Sequence, residues 1–205
     1  MTTEAGPHNS EAAFDRIADA LATLGYVVLT DCLPVALGEA LRQRLIPALG
    51  SLQQAGIGRG RQHTLAAAIR TDTLRWLLPD SPAEFGYLAW MEQLRLGLNR
   101  RLLLGLFDYE AHFAVYAAGG HYHQHLDAFQ GGTNRVLSTV FYLNPHWSPA
   151  DCGELRIHAA TGDALLATVM PEFGTLVLFL SASFPHEVAI THRPRYSIAG
   201  WFRGR

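Results

Sequence analysis

The chain has 205 residues, of which 49% are hydrophobic and 17% are charged, and this composition predicts one globular domain with a substantial core. Its net charge of −2, without a basic stripe, argues against nucleic acid or an anionic membrane as the main partner. All sixteen basic residues are arginine, which excludes lysine Schiff-base chemistry, and two cysteines are too few for a disulfide framework or a zinc finger.

The first ten residues are polar and contain Gly and Pro, which predicts a flexible tail. They lack the basic start and apolar middle of a signal peptide, and no apolar run reaches the ~18 residues of a membrane span. We therefore expect a cytoplasmic protein with no membrane segment. Residues 11–205 should form a single domain, with helical support over about 11–104 and a β-rich core over about 108–203.

Three helices and one strand are predicted in the first half of the chain. Apolar residues recur at helical spacing, and Gly25 and Pro47 are expected to stop the first two helices. The predicted helices cover about 10–24, 34–46 and 82–104, with a strand over 26–30 and a loop over 50–60.

After Phe107 the pattern changes to short runs rich in Val, Ile, Leu, Phe and Tyr, separated by Gly, Pro, Asn and Asp. The eight predicted strands lie near 111–117, 121–127, 134–143, 153–158, 163–169, 174–180, 185–191 and 195–203. This spacing predicts a mainly β protein, a sandwich or jelly roll, with the N-terminal helices packed on one sheet.

The densest group of possible metal ligands is the segment from His121 to Asp127, which reads HYHQHLD. In a regular strand, residues 121, 123, 125 and 127 would point to one face, so an H-x-D or H-x-H pair would present two donors together. With one further histidine, such a pair forms the 2-His-1-carboxylate site of non-haem Fe(II) oxygenases, which leaves positions open for substrate and O₂.

Two later residues strengthen the hypothesis of an iron site. His186 begins a β-like segment, and Arg195 follows nine residues later at the start of the last predicted strand. A guanidinium in the pocket could hold a carboxylate through two hydrogen bonds. A metal with open positions beside such an arginine indicates a keto-acid cosubstrate with a distal carboxylate, namely 2-oxoglutarate.

The region from about residue 69 to 202 resembles the Fe(II)/2-oxoglutarate oxygenases, and within them the hypoxia-factor prolyl hydroxylases and their bacterial relatives. The matched motifs, in chain order, are Ile69-Arg-Thr-Asp72 with Trp76, Ala114-Val-Tyr116 with Gly119, Gly120 and Tyr122, Asn134-Arg135, Phe141-Tyr-Leu-Asn144 with Trp147, Gly153-Glu-Leu-Arg-Ile157, Pro185-His-Glu-Val188, and Arg195-Tyr196 with Trp201. Three departures accompany the match. Cys152 replaces a glycine, the turn after Tyr116 is one residue shorter, and His123 stands where an apolar residue is usual.

The resemblance implies roles for ten residues. Those implied to bind Fe(II) are His125, Asp127 and His186. Those implied to bind 2-oxoglutarate are Arg195, Tyr142, Tyr116 and Leu155, and those implied to contact substrate are Arg135, Asp72 and Trp201. Arg195 would pair with the distal carboxylate, and Tyr142 would donate a hydrogen bond to it. The loop between Gly50 and Ala68 corresponds to a mobile flap, while His121 and His123 are expected at the polar mouth of the site.

The function implied by the resemblance is hydroxylation of a prolyl residue in a peptide or protein, of the prolyl 4-hydroxylase type, on a double-stranded β-helix. O₂ would be the second cosubstrate, 2-oxoglutarate would be decarboxylated to succinate, and ascorbate would act as an activator. A loop of a translation factor is one candidate target. The lack of lysine favours this branch over collagen-type enzymes, which use a lysine for the distal carboxylate. A monomer is favoured.

Three alternatives remain open. The same fold could hydroxylate a small molecule or a free amino acid, or it could serve as a non-catalytic metal or oxygen sensor. A cupin-like site through His123 and His125 would bind a metal without 2-oxoglutarate, but it would leave Arg195 and Tyr142 without a role.

Overall fold

The computed structural model describes residues 11–30, 32–56, 68–128, 134–161 and 164–205. The expected N-terminal tail and most of the expected flap lie outside these ranges. Among the described residues, no helix is both long enough and apolar enough to cross a membrane.

Within these ranges the chain forms three α-helices and eleven strands. The helices are α1 (Glu11–Thr23), α2 (Val35–Leu45) and α3 (Pro82–Leu102), and short 3-10 helices cover Ile46–Ser51 and Pro149–Asp151. The strands are β1 (Tyr26–Leu29), β2 (Gln53–Gln54), β3 (Thr73–Trp76), β4 (Asp108–Tyr116), β5 (Tyr122–His125), β6 (Arg135–Tyr142), β7 (Leu155–His158), β8 (Leu165–Val169), β9 (Leu176–Leu180), β10 (His186–Val188) and β11 (Arg195–Arg203). The three predicted helices and nine predicted strands are confirmed, with bounds that differ by a few residues. The strands β2 and β3 were not predicted.

Two antiparallel sheets form the predicted jelly roll. In the described part of the chain, the larger sheet has the order β1-β9-β6-β11-β4-β3-β2, and the smaller one has the order β5-β10-β7-β8. The central strand β11 pairs with β4 from Arg195↔Tyr116 to Arg203↔Asp108, and its other edge pairs with β6. This long pairing places the side chains of the last strand, Arg195 and Trp201 among them, on the same sheet as those of β4 and β6.

The helices cover one face of the larger sheet, as predicted. Ser81 caps α3 by accepting a hydrogen bond from the backbone N–H of Glu84, and Pro82 fits the first turn because its missing N–H has no helical partner there. Both α1 and α3 bury one stripe of apolar residues. The principal cluster joins Phe14, Ile17, Leu21, Leu94 and Leu98 of the helices to Phe113, Leu178, Ile198 and Phe202 of the sheet. This packing closes one face of the sheet and leaves its other face for the site.

A second apolar cluster lies between the two sheets. Leu155 and Ile157 alternate along β7 with half-exposed residues and pack against Tyr142, Val177 and Phe179 of the larger sheet. The alternation follows from the two-residue period of a strand, which sends every second side chain to the same face. The space between the sheets is therefore apolar where β7 faces β6 and β9.

Candidate active site

His125, Asp127 and His186 come together at the junction of β5 and β10. The two strands pair His125 directly with His186, and the two rings lie 4.2 Å apart between centroids. Asp127 lies two residues beyond the end of β5, with Oδ1 3.7 Å from Nε2 of His125 and Oδ2 3.5 Å from Nε2 of His186. One donor atom of each residue lies within 4.8 Å of the others, and among the described residues no other group of this kind was found.

Backbone carbonyls orient both imidazoles. Nδ1 of His125 lies 2.9 Å from the carbonyl oxygen of His123, and Nδ1 of His186 lies 3.0 Å from that of Phe184. A carbonyl only accepts, so each Nδ1 carries the proton and each Nε2 keeps its lone pair. The two Nε2 atoms are the ones that face Asp127, which is the arrangement that a shared cation requires.

The protonation states of the cluster suit a metal. Burial and the charge of His186 lower the pKa of His125 to about 3. Burial raises the pKa of Asp127. The charges of His186 and His125 and a hydrogen bond from Ser138 outweigh this effect and lower the pKa to about 2. At neutral pH the site therefore offers a neutral imidazole and an ionised carboxylate, the forms that bind metal ions.

The expectation that residues 121, 123, 125 and 127 share one face is wrong, because β5 is irregular. The pairing of β5 with β10 shifts in register, because His186 pairs with His125 whereas Val188, two residues later, pairs with Tyr122, three residues earlier. The shift places Tyr122 and His125 together, with their rings stacked 3.6 Å apart. The rings of His121 and His123 instead contact each other at 4.8 Å. Neither belongs to the cluster around Asp127.

His121 and His123 line a surface groove of about 620 Å³. Glu154, Arg156 and Glu187 line it as well. Tyr122, whose ring stacks on that of His125, also lines the groove, so the groove begins beside the metal-ligand cluster.

Arg195 is buried with an incomplete set of partners. It is 1% exposed, its Nε donates to the carbonyl of Gly153 at 2.8 Å, and its Nη1 donates to the hydroxyl of Ser197 at 3.4 Å. Its Nη2 and the buried Oη of Tyr142 have no hydrogen-bond partner among the described residues. An isolated buried charge is strongly unfavourable, so this pair of orphaned donors points to an anionic ligand.

The rings of Tyr142 and Tyr116 flank the guanidinium of Arg195, and Leu155 packs against Tyr142. Arg195 Cζ lies 5.0 Å from the ring centroid of Tyr142 and 5.2 Å from that of Tyr116. Burial raises the pKa of both phenols, so both remain protonated and able to donate a hydrogen bond. Leu155 is 1% exposed and lies in the same apolar cluster as Tyr142. The guanidinium of Arg195 thus lies among buried aromatic side chains.

A turn before β7 presents the carbonyl that Arg195 binds. Cys152 and Gly153 both have positive φ, 52° and 73°, a region that favours glycine. A Cβ at Gly153 would lie 2.8 Å from the side chain of Thr191, so this position has no room for one. Cys152, a residue with a Cβ, adopts this positive φ at some energetic cost.

The three residues expected to contact substrate occupy different environments. Both carboxylate oxygens of Asp72 accept hydrogen bonds from Arg70, at 2.6 and 2.8 Å, and Asp72 is fully buried. The guanidinium of Arg135 lies 3.5 Å from the ring centroid of Trp201 and forms an ion pair with Glu110. Arg135 and Trp201 thus meet directly, whereas Asp72 is committed to Arg70.

Sequence reasoning missed two residues of the inner face, His112 and Ser138. His112 is 1% exposed and its ring lies 5.2 Å from that of Trp76 and 5.5 Å from that of Trp201. Ser138 donates a hydrogen bond to Asp127. A histidine within the apolar run Ala111–Val115 was an available signal. No local signal distinguishes Ser138 from any other serine of a strand.

Comparison with known proteins places these features in one family. The profile of the 2OG-Fe(II) oxygenase superfamily matches residues 111–203. A crystal structure of a prolyl-4-hydroxylase from Pseudomonas putida is 39% identical, with a TM-score of 0.84, and the match covers 94% of this chain and 99% of that one.

More distant relatives share the fold or part of the sequence. A prolyl hydroxylase from Trichoplax adhaerens, in complex with a hypoxia inducible factor peptide, has a TM-score of 0.85 at 24% identity, covering 98% of this chain and 94% of that one. The human protein Egl nine homolog 1 is 32% identical over 95 residues, which is 45% of this chain and 22% of that protein. The chain thus matches about a quarter of the length of its curated relatives.

Proposed function

Because the chain belongs to the 2OG-Fe(II) oxygenase superfamily, we propose that it hydroxylates a prolyl residue of a peptide or protein, with Fe(II), 2-oxoglutarate and O₂. One oxygen atom of O₂ would enter the prolyl ring, and the other would enter succinate as 2-oxoglutarate loses CO₂. The main support is the joint presence of the His125, Asp127 and His186 cluster and a buried Arg195 with an unpaired donor.

The donor set fits Fe(II). Two imidazole nitrogens and one carboxylate form a set typical of non-haem Fe(II) oxygenases, and three protein ligands leave positions for cosubstrates. His125 and His186 would bind through Nε2, and Asp127 through a carboxylate oxygen. When bound, the iron would supply the O₂ chemistry that amino-acid side chains lack. The protein's part is to orient these ligands and to keep the pocket dry.

The orphaned donors fit 2-oxoglutarate. Nη2 of Arg195 and Oη of Tyr142 would donate hydrogen bonds to its distal carboxylate, since both are buried and unpaired. A charge-assisted hydrogen bond is about twice as strong as a neutral one, and at a buried position little solvent is present to screen it. Tyr116 and Leu155 would form the walls of the pocket. We further propose that ascorbate activates the enzyme by keeping its iron in the ferrous state.

The prolyl substrate would lie against Arg135 and Trp201, which meet on the inner face of the larger sheet. Asp72 would act through Arg70 by holding its guanidinium against the ring of Tyr122, at 4.8 Å. A loop of a translation factor remains a candidate target. We also propose a cytoplasmic location, because two cysteines are too few for the disulfide framework that is typical of small secreted domains.

The test is succinate formation by the purified protein with Fe(II), 2-oxoglutarate and ascorbate, with and without a cell lysate as the source of substrate. We expect the lysate to stimulate succinate formation and one of its proteins to gain the mass of one oxygen atom on a proline. Succinate without an oxidised protein would move the substrate to a small molecule. No succinate from the folded, iron-loaded protein would leave only the metal-binding sensor.

The Asp127→Ala and His186→Ala variants are matched tests of the metal ligands. Both should abolish lysate-stimulated succinate formation while the unfolding transition of the metal-free protein stays close to that of the wild type. A variant that keeps normal kinetics would contradict the ligand assignment.

A further inference from the structure

Asp127 is the one member of the metal-ligand cluster that lies outside a strand. His125 and His186 are held by the pairing of β5 and β10, but Asp127 lies in a bend after β5. The strand ladder therefore does not fix its carboxylate. Contacts from elsewhere in the fold must do so, and the described residues supply them from β6 and from the end of β9.

Two buried serines, Ser138 and Ser181, hold Asp127 and the bend in which it lies. The hydroxyl of Ser138, on β6, donates to Oδ2 of Asp127 at 2.6 Å, and it lies 2.9 Å from the hydroxyl of Ser181. Ser138 is 2% exposed and Ser181 is fully buried. The carbonyl of Ser181 also accepts from the backbone N–H of Ala128, the residue after Asp127, at 3.3 Å. The bend is thus tied to Ser181 through its backbone and to Ser138 through the carboxylate.

The direction of the hydrogen bonds follows from the chemistry of the groups. An ionised carboxylate only accepts, so Ser138 donates its single hydroxyl hydrogen to Asp127 and must accept a hydrogen bond from Ser181. The chain of donors runs from Ser181 to Ser138 to Asp127. A hydroxyl-to-carboxylate bond of 2.6 Å has the length of a strong charge-assisted bond, and a donor behind it polarises it further.

We propose that Ser138, supported by Ser181, is a positioning residue that fixes the plane of the Asp127 carboxylate and keeps one of its oxygens turned to the metal. This inference rests on the proposed function, because it assumes that the cluster binds Fe(II). The hydrogen bond to Oδ2 occupies a lone pair of that oxygen and opposes rotation of the carboxylate. Outer contacts of this kind are commonly worth 10- to 100-fold in metal affinity.

A purely structural role for Ser138 makes a different prediction. If the two hydroxyls only satisfy each other in the core, their loss would lower stability and leave the geometry of a bound metal unchanged. The visible absorption bands of bound Co(II), which report its coordination geometry, distinguish the two roles without any turnover.

The experiment is titration of the metal-free protein with Co(II), with affinity and visible absorption as readouts. We expect Ser138→Ala to bind Co(II) about 10-fold more weakly than the wild type, with altered absorption bands. Ser138→Thr, which keeps the hydroxyl, should restore both. Thr139→Val is the matched control because it removes a buried hydroxyl on the next residue of β6, which bonds to Tyr109 and not to Asp127. Its Co(II) affinity and spectrum should equal those of the wild type.

Several outcomes decide the question. Wild-type affinity and spectrum in Ser138→Ala would overturn the positioning role while leaving the proposed function intact. If Ser138→Ala does not fold, Ser181→Ala decides instead, and it should weaken Co(II) binding in the same direction by a smaller factor. No change there would also overturn the role. Failure of the wild type to bind Co(II), or binding that survives His186→Ala, would refute the proposed metal site itself.

Discussion

The burial of His112 makes a quantitative prediction about the pH dependence of stability. Burial, aided by the charge of Arg70, lowers the pKa of His112 from 6.5 to about 4. In the unfolded chain the same residue binds a proton near pH 6.5, so between these values the unfolded state holds more protons than the folded one. Stability therefore falls as the pH drops below about 6.5, and the loss levels off below about pH 4.

The magnitude follows from the two pKa values. Between pH 7.5 and pH 5, one such group lowers the free energy of unfolding by about 2 kcal/mol. The surroundings of the ring explain why its protonated form is unfavourable. The ring is enclosed between Trp76 and Trp201, and its Nδ1 lies 3.1 Å from the carbonyl of Phe113, so Nδ1 carries the proton of the neutral form. A second proton would place a charge among apolar rings.

The assay is urea denaturation of the metal-free protein at several pH values, for the wild type and for His112→Gln. Loss of packing in the variant is constant with pH, so the difference between the two curves isolates the titration of His112. His125 also titrates within the fold, but it is present in both proteins and cancels. The wild type should lose about 2 kcal/mol more than His112→Gln between pH 7.5 and pH 5. Trp76→Phe, which perturbs the same contact and removes no titrating group, should follow the wild-type slope. Parallel curves for wild type and His112→Gln would refute the reasoning.

Two further predictions concern the cosubstrate and the helical layer. Arg195→Gln should raise the KM for 2-oxoglutarate about 30-fold or more, with a smaller change in kcat, because a buried charged donor to the distal carboxylate is lost. Steady-state succinate assays measure both constants, and an unchanged KM would contradict that role. Glu84→Ala should lower the free energy of unfolding by about 3 kcal/mol, since this fully buried carboxylate accepts from Arg44, Arg75 and a backbone N–H. Glu92→Ala, which removes an ion pair on the helix surface, is the control and should cost less than about 1 kcal/mol in the same urea titration.

Local pattern was enough for most of the secondary structure. The predicted strands after Phe107 all occur, because most of these short segments are rich in β-branched, aromatic or other apolar residues and are separated by Gly, Pro, Asn or Asp. The strands β2 and β3 escaped prediction for a physical reason. Gln53–Gln54 is polar and only two residues long, and Thr73–Trp76 exists as a strand because the edge of β4 is available to pair with it. Such short strands are stabilised more by the strands they pair with than by their own sequence.

The family resemblance implied which residues would form the cluster, and the structure brings His125, Asp127 and His186 together and places Arg195 against Tyr142. The assumption of regular alternation failed at β5, because a register shift between paired strands depends on the partner strand. The proximity of Asp72 to Arg70, two residues away, could be suspected from sequence, but its complete burial could not.

The sequence by itself determined the element types, because these depend on local residue chemistry and spacing, and its resemblance to a known family implied the jelly-roll class and the residues that could bind a metal and an anion. Only the tertiary structure decided which donors are unpaired at Arg195, why His112 stays neutral and how Ser138 reaches Asp127. These properties depend on groups that are distant in the chain, since burial and hydrogen bonding are set by whichever elements pack together in three dimensions.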